Sequence, residues 1–178
     1  FILSKDKQAY ANWKSENLSK NFKLNVNGLI EYDGMLDYNI QLIAKNDIDI
    51  NDVSLNILFN KNAAKYILGL GNKGGLLKND IDWKWNINNH QEGVWLGNVN
   101  KGLQYVLRDN NYERPLNTNF YRSKPLNLPY SWYNDSKGGI SVKIYNEIVE
   151  VNNYSGERSL IKGDLSLIHI SEPTRRYR

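Results

Sequence analysis

Cysteine is missing from this sequence of 178 residues, which also has one methionine, two histidines and four prolines. The lack of cysteine excludes a disulfide framework, a thiolate zinc site and a cysteine nucleophile. No apolar run approaches the roughly 18 residues that a membrane span needs, so we expect no membrane partner. With 40% hydrophobic and 24% charged residues and no low-complexity tract, the composition is typical of a globular domain.

The two ends of the chain are unusual. The sequence begins with Phe1 instead of methionine and shows no targeting pattern. Residues 165–178 read LSLIHISEPTRRYR, and the run from Leu165 to Arg175 resembles an in-frame translation of a sequencing adapter. We therefore expect residues 1–164 to be one domain, truncated at both ends, and residues 165–178 to be an adapter-derived artefact. The apolar residues of such a tail are drawn to any open sheet edge.

Charge gives no sign of a nucleic-acid partner. The net charge is +4, and the tail contributes +2 of it through three arginines and Glu172. The remaining lysines and arginines are scattered, whereas nucleic-acid binding needs a clustered basic face. We therefore expect no nucleic-acid partner.

Alternation of apolar and polar residues is the dominant pattern, and it predicts half-buried strands. In the clearest case, Phe22, Leu24 and Val26 alternate with Lys23 and Asn25. Similar runs predict strands at Tyr38–Ala44, Val53–Phe59, Tyr66–Leu68, Trp83–Ile87, Gly93–Leu96, Leu103–Leu107, Ile140–Ile144 and Ile148–Val151. Turn signals at Asp33-Gly34, Gly74-Gly75, Gly138-Gly139 and Asn152-Asn153 separate them.

Helical signal is weak. The stretch Asp6 to Ser19 predicts at most an amphipathic helix of a turn or two, built around Trp13. Many short strands with almost no helix predict an all-β fold, here an antiparallel β-sandwich. The stretch from Asp109 to Asp135 contains three of the prolines and predicts a long loop, a kind of segment that is often functional.

Two motifs favour structural over catalytic roles. Gly69 to Gly74 matches the glycine pattern of dinucleotide-binding loops, but the next residues lead to another strand, whereas that site needs a helix. The pattern therefore predicts a glycine turn. Asp47 to Asn51 begins like a calcium loop, but Asp52 stands where the glycine belongs and Leu58 where the glutamate belongs. We expect a solvated acidic turn and no metal.

Catalytic groups are not evident. His90 is the one histidine outside the tail, and its polar neighbours predict an exposed loop. A glycosidase needs two carboxyl groups at a set separation. The carboxylates open to such a pairing include Asp109, Glu113, Asp135 and Glu147, but the sequence cannot place any two together. We assign no catalytic residue, metal or cofactor.

Several segments, densest after Gly69, agree in order with one family. They include Val94-Trp95-Leu96-Gly97-Asn98, Lys101-Gly102-Leu103-Gln104, Trp132-Tyr133-Asn134, Lys137-Gly138-Gly139 and Tyr154-Ser-Gly-Glu-Arg158. This run resembles the N-terminal β-sandwich region of bacterial glycoside hydrolase family 123 proteins. The resemblance implies a secreted or periplasmic parent enzyme of β-N-acetylgalactosaminidase type, whose acidic pair lies in a catalytic barrel. It therefore implies a non-catalytic accessory domain, with that barrel as its partner in the same parent chain.

Aromatic and amide residues are the candidates for contact with carbohydrate or with the barrel. Sugars stack on aromatic rings, but tryptophans also dominate cores and interfaces. Core packing, packing against the barrel and direct contact with sugar therefore stay open, as does an autonomous carbohydrate-binding module. The candidates are Trp83, Trp85, Trp95, Asn98, Trp132, Tyr133 and Asn134.

Overall fold

The computed structural model describes residues 2–5, 10–32, 34–84, 93–108, 137–163 and 165–172. Within these ranges the chain forms strands and turns and no helix, which confirms the all-β class. No helix in these ranges could therefore cross a membrane. His90, for which we predicted an exposed loop, and the proline-containing stretch 109–135 lie outside the described residues.

Fifteen strands follow one another along the described chain. They are β1 (Ile2–Lys5), β2 (Tyr10–Leu18), β3 (Phe22–Glu31), β4 (Leu36–Ala44), β5 (Ile48–Ile50), β6 (Ser54–Asn60), β7 (Tyr66–Gly69), β8 (Asn72–Leu76), β9 (Ile81–Lys84), β10 (Gly93–Gly97), β11 (Gly102–Arg108), β12 (Gly139–Ile144), β13 (Ile148–Tyr154), β14 (Arg158–Leu160) and β15 (Leu165–Glu172).

The strands form three antiparallel sheets. The larger sheet has nine strands in the order β1-β2-β3-β4-β15-β11-β10-β7-β8. The smaller sheet has four strands in the order β6-β13-β12-β9, and β14 pairs with β5 in a two-stranded sheet. Every strand predicted from alternation is present, although the last residues of Trp83–Ile87 lie outside the described ranges.

The core lies between the smaller sheet and the β7–β10 end of the larger sheet. Alternate residues of β12 and β13, such as Ile140 and Val151, face alternate residues of β7 and β10, such as Ile67 and Leu96. These side chains are at most 3% exposed. Because successive strand residues point to opposite faces, each sheet gives one face to this core. The arrangement is a sandwich of two sheets.

The other end of the larger sheet, β1 to β4, packs differently. Trp13 of β2 lies directly opposite Gly28 of β3, where any side chain would overlap the indole ring. The ring also meets Tyr38 of β4 edge-on, with 5.3 Å between the ring centroids. Glycine therefore makes room for a tryptophan that ties three neighbouring strands together.

Four predictions about local structure are wrong, and three of them concern residues outside the acidic segment after Asp47. The stretch that predicted a short helix contains β2, because its residues pair with both β1 and β3. Asn152 and Asn153 lie inside β13, and the chain turns later, at Gly156, where φ is 68°. Gly74-Gly75 lies inside β8, and the turn comes earlier, at Leu70 and Gly71.

Two predicted turns are confirmed, and each joins two antiparallel strands. β3 and β4 form an antiparallel pair joined at Gly34, whose φ of 88° suits glycine. β7 and β8 form a second pair, so the dinucleotide-like glycine run is a turn between two strands. Gly69, Leu70 and Gly71 all have positive φ, at 108°, 49° and 80°. The chain therefore reverses direction at these residues, and no helix begins there.

The acidic segment after Asp47 is a short strand, β5, and not the solvated turn that we predicted. Its flanking carboxylates accept hydrogen bonds from distant backbone. Asp47 Oδ1 accepts from Lys162 N at 2.8 Å, and Asp52 Oδ1 accepts from Ser155 N and Gly156 N at 2.9 Å each. The acidic residues therefore fasten β5 and β6 to the end of β13 and to the segment after β14.

Candidate functional site

The structure describes three of the seven candidate site residues, Trp83, Trp95 and Asn98. Trp85, Trp132, Tyr133 and Asn134 lie outside the described residues. The three described residues do not converge on one point. They belong to the core, to the outer face of the larger sheet and to a turn, and each is considered separately below.

Trp83 faces the interior of the sandwich. It lies on β9 opposite Ile140 of β12, and Ile140 in turn lies opposite Asn153 of β13. Its side chain packs against the buried core cluster. This position favours the core interpretation among the three that the sequence left open.

Asn153, in the same cross-strand row, is a polar residue that the sequence did not single out. It is fully buried, and neither its side-chain oxygen nor its side-chain nitrogen has a hydrogen-bond partner. A buried amide without partners costs free energy, because folding removes its hydrogen bonds to water. The sequence signal was misleading here, since consecutive asparagines usually mark turns.

Trp95 lies on the opposite face of β10 from the buried Val94 and Leu96. It is half-buried, and its indole ring lies over the backbone of Gly97 and Gly102. A side chain at either glycine would overlap the ring, so both glycines are needed to seat it. Trp95 is therefore an aromatic group held flat against the outer face of the larger sheet.

Apolar residues extend this face toward the sheet edge. Leu68 of β7 lies directly opposite Trp95, and it is 51% exposed. Leu76 of β8, opposite Tyr66, is 57% exposed. We call Tyr66, Leu68, Leu76 and Trp95 the aromatic patch. Leu68 and Leu76 are much more exposed than leucines that pack in a protein core.

Asn98 is committed to the turn between β10 and β11. Its side-chain oxygen accepts hydrogen bonds from Asn100 N at 3.0 Å and Lys101 N at 3.1 Å. Its side-chain nitrogen donates to Asn62 O at 2.9 Å. The amide therefore shapes its own turn and fastens it to the turn after β6, which leaves little hydrogen-bonding capacity for a sugar.

Amide side chains line the same outer face farther along the larger sheet. Asn25 lies opposite Gln41, and Asn27 lies opposite Asn39, on the neighbouring strands β3 and β4. Alternation through β15 and β11 places them on the face that carries Trp95. The side-chain oxygens of Asn25 and Asn39 are buried without hydrogen-bond partners. The alternation showed these amides, but only the register showed that they are neighbours.

A second polar cluster covers the outer face of the smaller sheet. The Tyr154 hydroxyl donates a hydrogen bond to Asp82 Oδ1 at 2.8 Å, and Lys84 Nζ lies 4.7 Å from the centre of the tyrosine ring. Gly139, without a side chain, leaves room for that ring. Burial and then the Asp82 carboxylate raise the pKa of Tyr154 well above its usual range. The phenol therefore stays protonated and acts as a donor.

Two further carboxylates, those of Asp80 and Glu16, also have partners. Asp80 Oδ1 accepts from Ile144 N at 2.9 Å, and its other oxygen lies 3.6 Å from Lys143 Nζ. Glu16 forms an ion pair with Lys23 at 2.7 Å. Among the described residues, no three acidic or imidazole side chains are grouped to hold a metal ion. These carboxylates support the strands and their connections.

Comparison with models of known families identifies a family for this chain. The model of the family described as glycoside hydrolase 123, third domain, matches residues 1–168. A search of curated proteins finds no match. The resemblance drawn from the sequence is therefore confirmed at the level of the family. The family description counts the domain as third, whereas the resemblance pointed to the N-terminal region.

Proposed function

The chain belongs to the glycoside hydrolase 123 third-domain family and is a glycoside hydrolase-associated accessory domain, and from this we propose that it is non-catalytic. In this proposal its parent is a carbohydrate-active enzyme, of β-N-acetylgalactosaminidase type. The domain packs against the catalytic barrel of the same parent chain. Its contribution is to support the barrel, while the reaction takes place elsewhere.

One observation carries the non-catalytic role: four of the described carboxylates are used to hold the sandwich together. Asp47, Asp52 and Asp80 accept hydrogen bonds from backbone N–H groups, and Asp82 accepts from Tyr154. Glycoside hydrolysis needs a carboxyl group that is positioned to give a proton to the substrate. Carboxylates that fasten strands are poorly placed for that work.

The aromatic patch supports contact with another domain. Its exposed leucines flank a half-buried tryptophan, which is the composition of interface cores. An aromatic ring with aliphatic neighbours contributes most to binding when a partner surface excludes water from it. The catalytic barrel of the parent is the partner that family membership favours.

Trp95 also favours a second candidate function, an autonomous carbohydrate-binding module. A ring seated flat on two glycines offers a planar surface of the kind on which sugar rings stack. The two candidates make opposite predictions about isolated sugars. A module binds them with the ring alone, whereas a domain interface needs the shape of its partner.

Titration with sugars separates the two. We expect tryptophan fluorescence of the full chain to show no saturation by N-acetylgalactosamine, N-acetylglucosamine or common polysaccharides at millimolar affinity or better. The Trp95→Ala and Trp132→Ala variants are measured beside Tyr32→Ala, a control at a side chain that is 85% exposed. Saturation that disappears in either tryptophan variant and persists in the control would establish the module instead.

Activity tests the non-catalytic role directly. We expect the purified chain to release no product from aryl glycosides of N-acetylgalactosamine. Turnover that disappears when one carboxylate is replaced by its amide would overturn this part of the proposal. Glu147→Gln is the first such variant, because Glu147 is exposed and its carboxylate has no structural role described above.

The proposed partner is tested at the level of the gene. We expect the sequence on one side of this chain to encode a barrel of about 250 residues or more. Neighbouring sequence that encodes an unrelated domain would argue against the shared parent chain. Co-expression of the two parts, with and without Trp95→Ala, then measures whether the aromatic patch forms their contact.

A further inference from the structure

The edge strands of the two larger sheets differ in how they are protected. Natural sheet edges carry charges, prolines or irregular backbone that hinder pairing with another chain. In the described chain, the edge strands β1 and β9 each carry a lysine, and β9 also carries Asp82. β8 carries Lys73 and two glycines with positive φ, 99° at Gly74 and 156° at Gly75. β6 is the longest of the four, with seven residues, and it has no charge, proline or register shift.

Backbone groups of alternate β6 residues point away from β13. Val53 O accepts a hydrogen bond from Ser155 N at 3.0 Å, and Lys61 N donates to Glu147 O at 2.9 Å. Opposite residues of an antiparallel pair alternate between hydrogen-bonded and non-hydrogen-bonded pairs, so the odd-numbered residues of β6 bond to β13. The N–H and C=O groups of its even-numbered residues therefore point to the open edge. In the described chain these groups have no backbone partner at Ser54, Asn56 and Leu58.

The sequence of β6 suits pairing with a second copy of itself. A two-fold axis through Ile57, perpendicular to the sheet, places the whole of one β6 opposite the whole of the other. On the inner face, Ile57 then meets the partner's Ile57, and Leu55 meets the partner's Phe59. These three side chains pack beside the buried core and are only half-buried, so a second copy would cover more of their surface. On the outer face, Asn56 lies opposite the partner's Leu58, and no charges meet.

We propose that two copies of this chain associate by antiparallel pairing of β6 with β6, centred on Ile57, which joins two four-stranded sheets into one sheet of eight strands. Main-chain hydrogen bonds at Ser54, Asn56 and Leu58 supply the affinity, and the apolar inner residues extend the core across the contact. The assembly closes at two copies, because each β6 has one open edge. The contact lies on the smaller sheet, so it leaves the aromatic patch free and does not depend on the proposed function.

Sedimentation equilibrium of the full chain tests the association. A contact of one strand per copy buries little surface, so we expect a Kd between about 1 μM and 1 mM. The mass should rise with concentration from 20.7 kDa toward twice that value. Asn56→Pro removes an N–H that points to the open edge, a change that an edge strand tolerates, and we expect it to weaken association at least about tenfold.

Asn56→Ala is the matched control for this variant. It removes the same side chain but keeps the backbone N–H, so it should associate like the unmodified chain. A mass that stays at 20.7 kDa up to about 1 mM, or association of Asn56→Pro equal to that of Asn56→Ala, would overturn the proposal.

Disulfide crosslinking tests the register, and it decides the question even if Asn56→Pro fails to fold. Because the chain has no cysteine, an introduced thiol can react only with its counterpart in another copy. In the proposed pairing, the Cα atoms of residue 56 and the partner's residue 58 are about 5.5 Å apart, within the range of a disulfide. The two copies of residue 56, like those of residue 58, are diagonal neighbours about 7–8 Å apart, which is too far.

A mixture of the Asn56→Cys and Leu58→Cys variants should therefore form at least about fivefold more disulfide-linked dimer on oxidation than either variant alone. Tyr32→Cys, at a side chain that is 85% exposed, measures the background from random collision. A yield from the mixture no higher than that of the single variants or of Tyr32→Cys would overturn the proposed pairing.

Discussion

The two ends of the larger sheet are built in opposite ways. At the β7–β10 end, alternate side chains such as Ile67 and Leu96 are almost fully buried against the smaller sheet. At the β1–β4 end, most residues of both faces are half-buried, and only Gly28 and Ala44 in β2 to β4 are fully buried. The first end is stabilised mainly by removal of apolar surface from water, and the second by strand pairing, the tryptophan contact and partial packing of Tyr38 and Ile40 against the core.

Residues that stabilise the fold and residues that are candidates for contact with other molecules also lie in different parts of the sandwich. Trp83 lies on β9 of the smaller sheet and packs against the core, whereas Trp95 and the amides of β3 and β4 lie on the outer face of the larger sheet. Residues that stabilise the sandwich are therefore unsuited to contact a partner. The surfaces offered to other molecules are those that the core leaves uncovered.

Truncation of matched isoleucines should show the largest contrast. Ile140, on β12 of the smaller sheet that covers the β7–β10 end, is fully buried, and Ile30 of β3 is 41% exposed. We expect Ile140→Ala to lower the free energy of unfolding by about 2–5 kcal/mol, because it removes buried surface and leaves a cavity. Ile30→Ala should lower it by less than about 1 kcal/mol. Urea melts of both variants measure this, and similar losses would show that the two ends are equally well packed.

A methyl group at Gly28 should disturb the open end. Gly28→Ala places Cβ within the Trp13 indole, and we expect a loss of about 1–3 kcal/mol in the free energy of unfolding. In the double variant with Trp13→Ala, the penalty from the added methyl should disappear. A double-mutant cycle measures the coupling. Additive losses would mean that Trp13 does not occupy the space above Gly28.

Replacing Asn153 should sharpen the comparison, because it is a fully buried amide of the smaller sheet, on the face that covers the β7–β10 end. Leucine has the same branched skeleton and no polar atoms, so we expect Asn153→Leu to raise the free energy of unfolding by about 1 kcal/mol. The control is Asn56→Leu on the exposed side of β6, with a change within about 0.5 kcal/mol. Destabilisation by Asn153→Leu alone would indicate that the amide has a partner, such as an internal water.

The smallest expected effect is at alkaline pH. Because folding raises the pKa of Tyr154, its contribution to stability is complete below its unfolded pKa of about 10 and is lost as the pH rises toward the folded value. We expect the unmodified chain to lose stability above about pH 10 more steeply than Tyr154→Phe does. Tyr145→Phe, at a side chain that is 54% exposed, is the control. Parallel pH profiles for all three proteins would contradict a half-buried, hydrogen-bonded phenol.

Local patterns predicted much of this fold because alternation along the chain is a property of each strand alone. Phe22–Val26 and Tyr38–Ala44 were assigned correctly without knowledge of their partners. β2 was missed, because Trp13 and Ser15 acquire an inner face only through pairing with β3. The turn predicted at Asn152-Asn153 failed because pairing with β6 and β12 carries β13 through both residues.

The candidate site was less predictable, since it depends on register between distant strands. The sequence identified Trp95 but not the glycines that seat it, which are two and seven residues away. It showed that amides alternate in β3 and β4 without showing that Asn25 faces Gln41. Tyr154 and Asp82 come together only because β13 and β9 flank β12.

The hydrogen bonds between Asp52, Val53 and Ser155 have a consequence for synthesis of the chain. Val53 N and Ser155 Oγ are separated by 102 positions in sequence, and β6, which begins at Ser54, pairs with β13 alone. At about 5–20 residues per second, a ribosome needs roughly 5–20 s to make the intervening chain. During that interval Leu55, Ile57 and Phe59 have no partner strand. Because the pairing is non-local, we expect β6 to join its sheet late and to be accessible to chaperones before then.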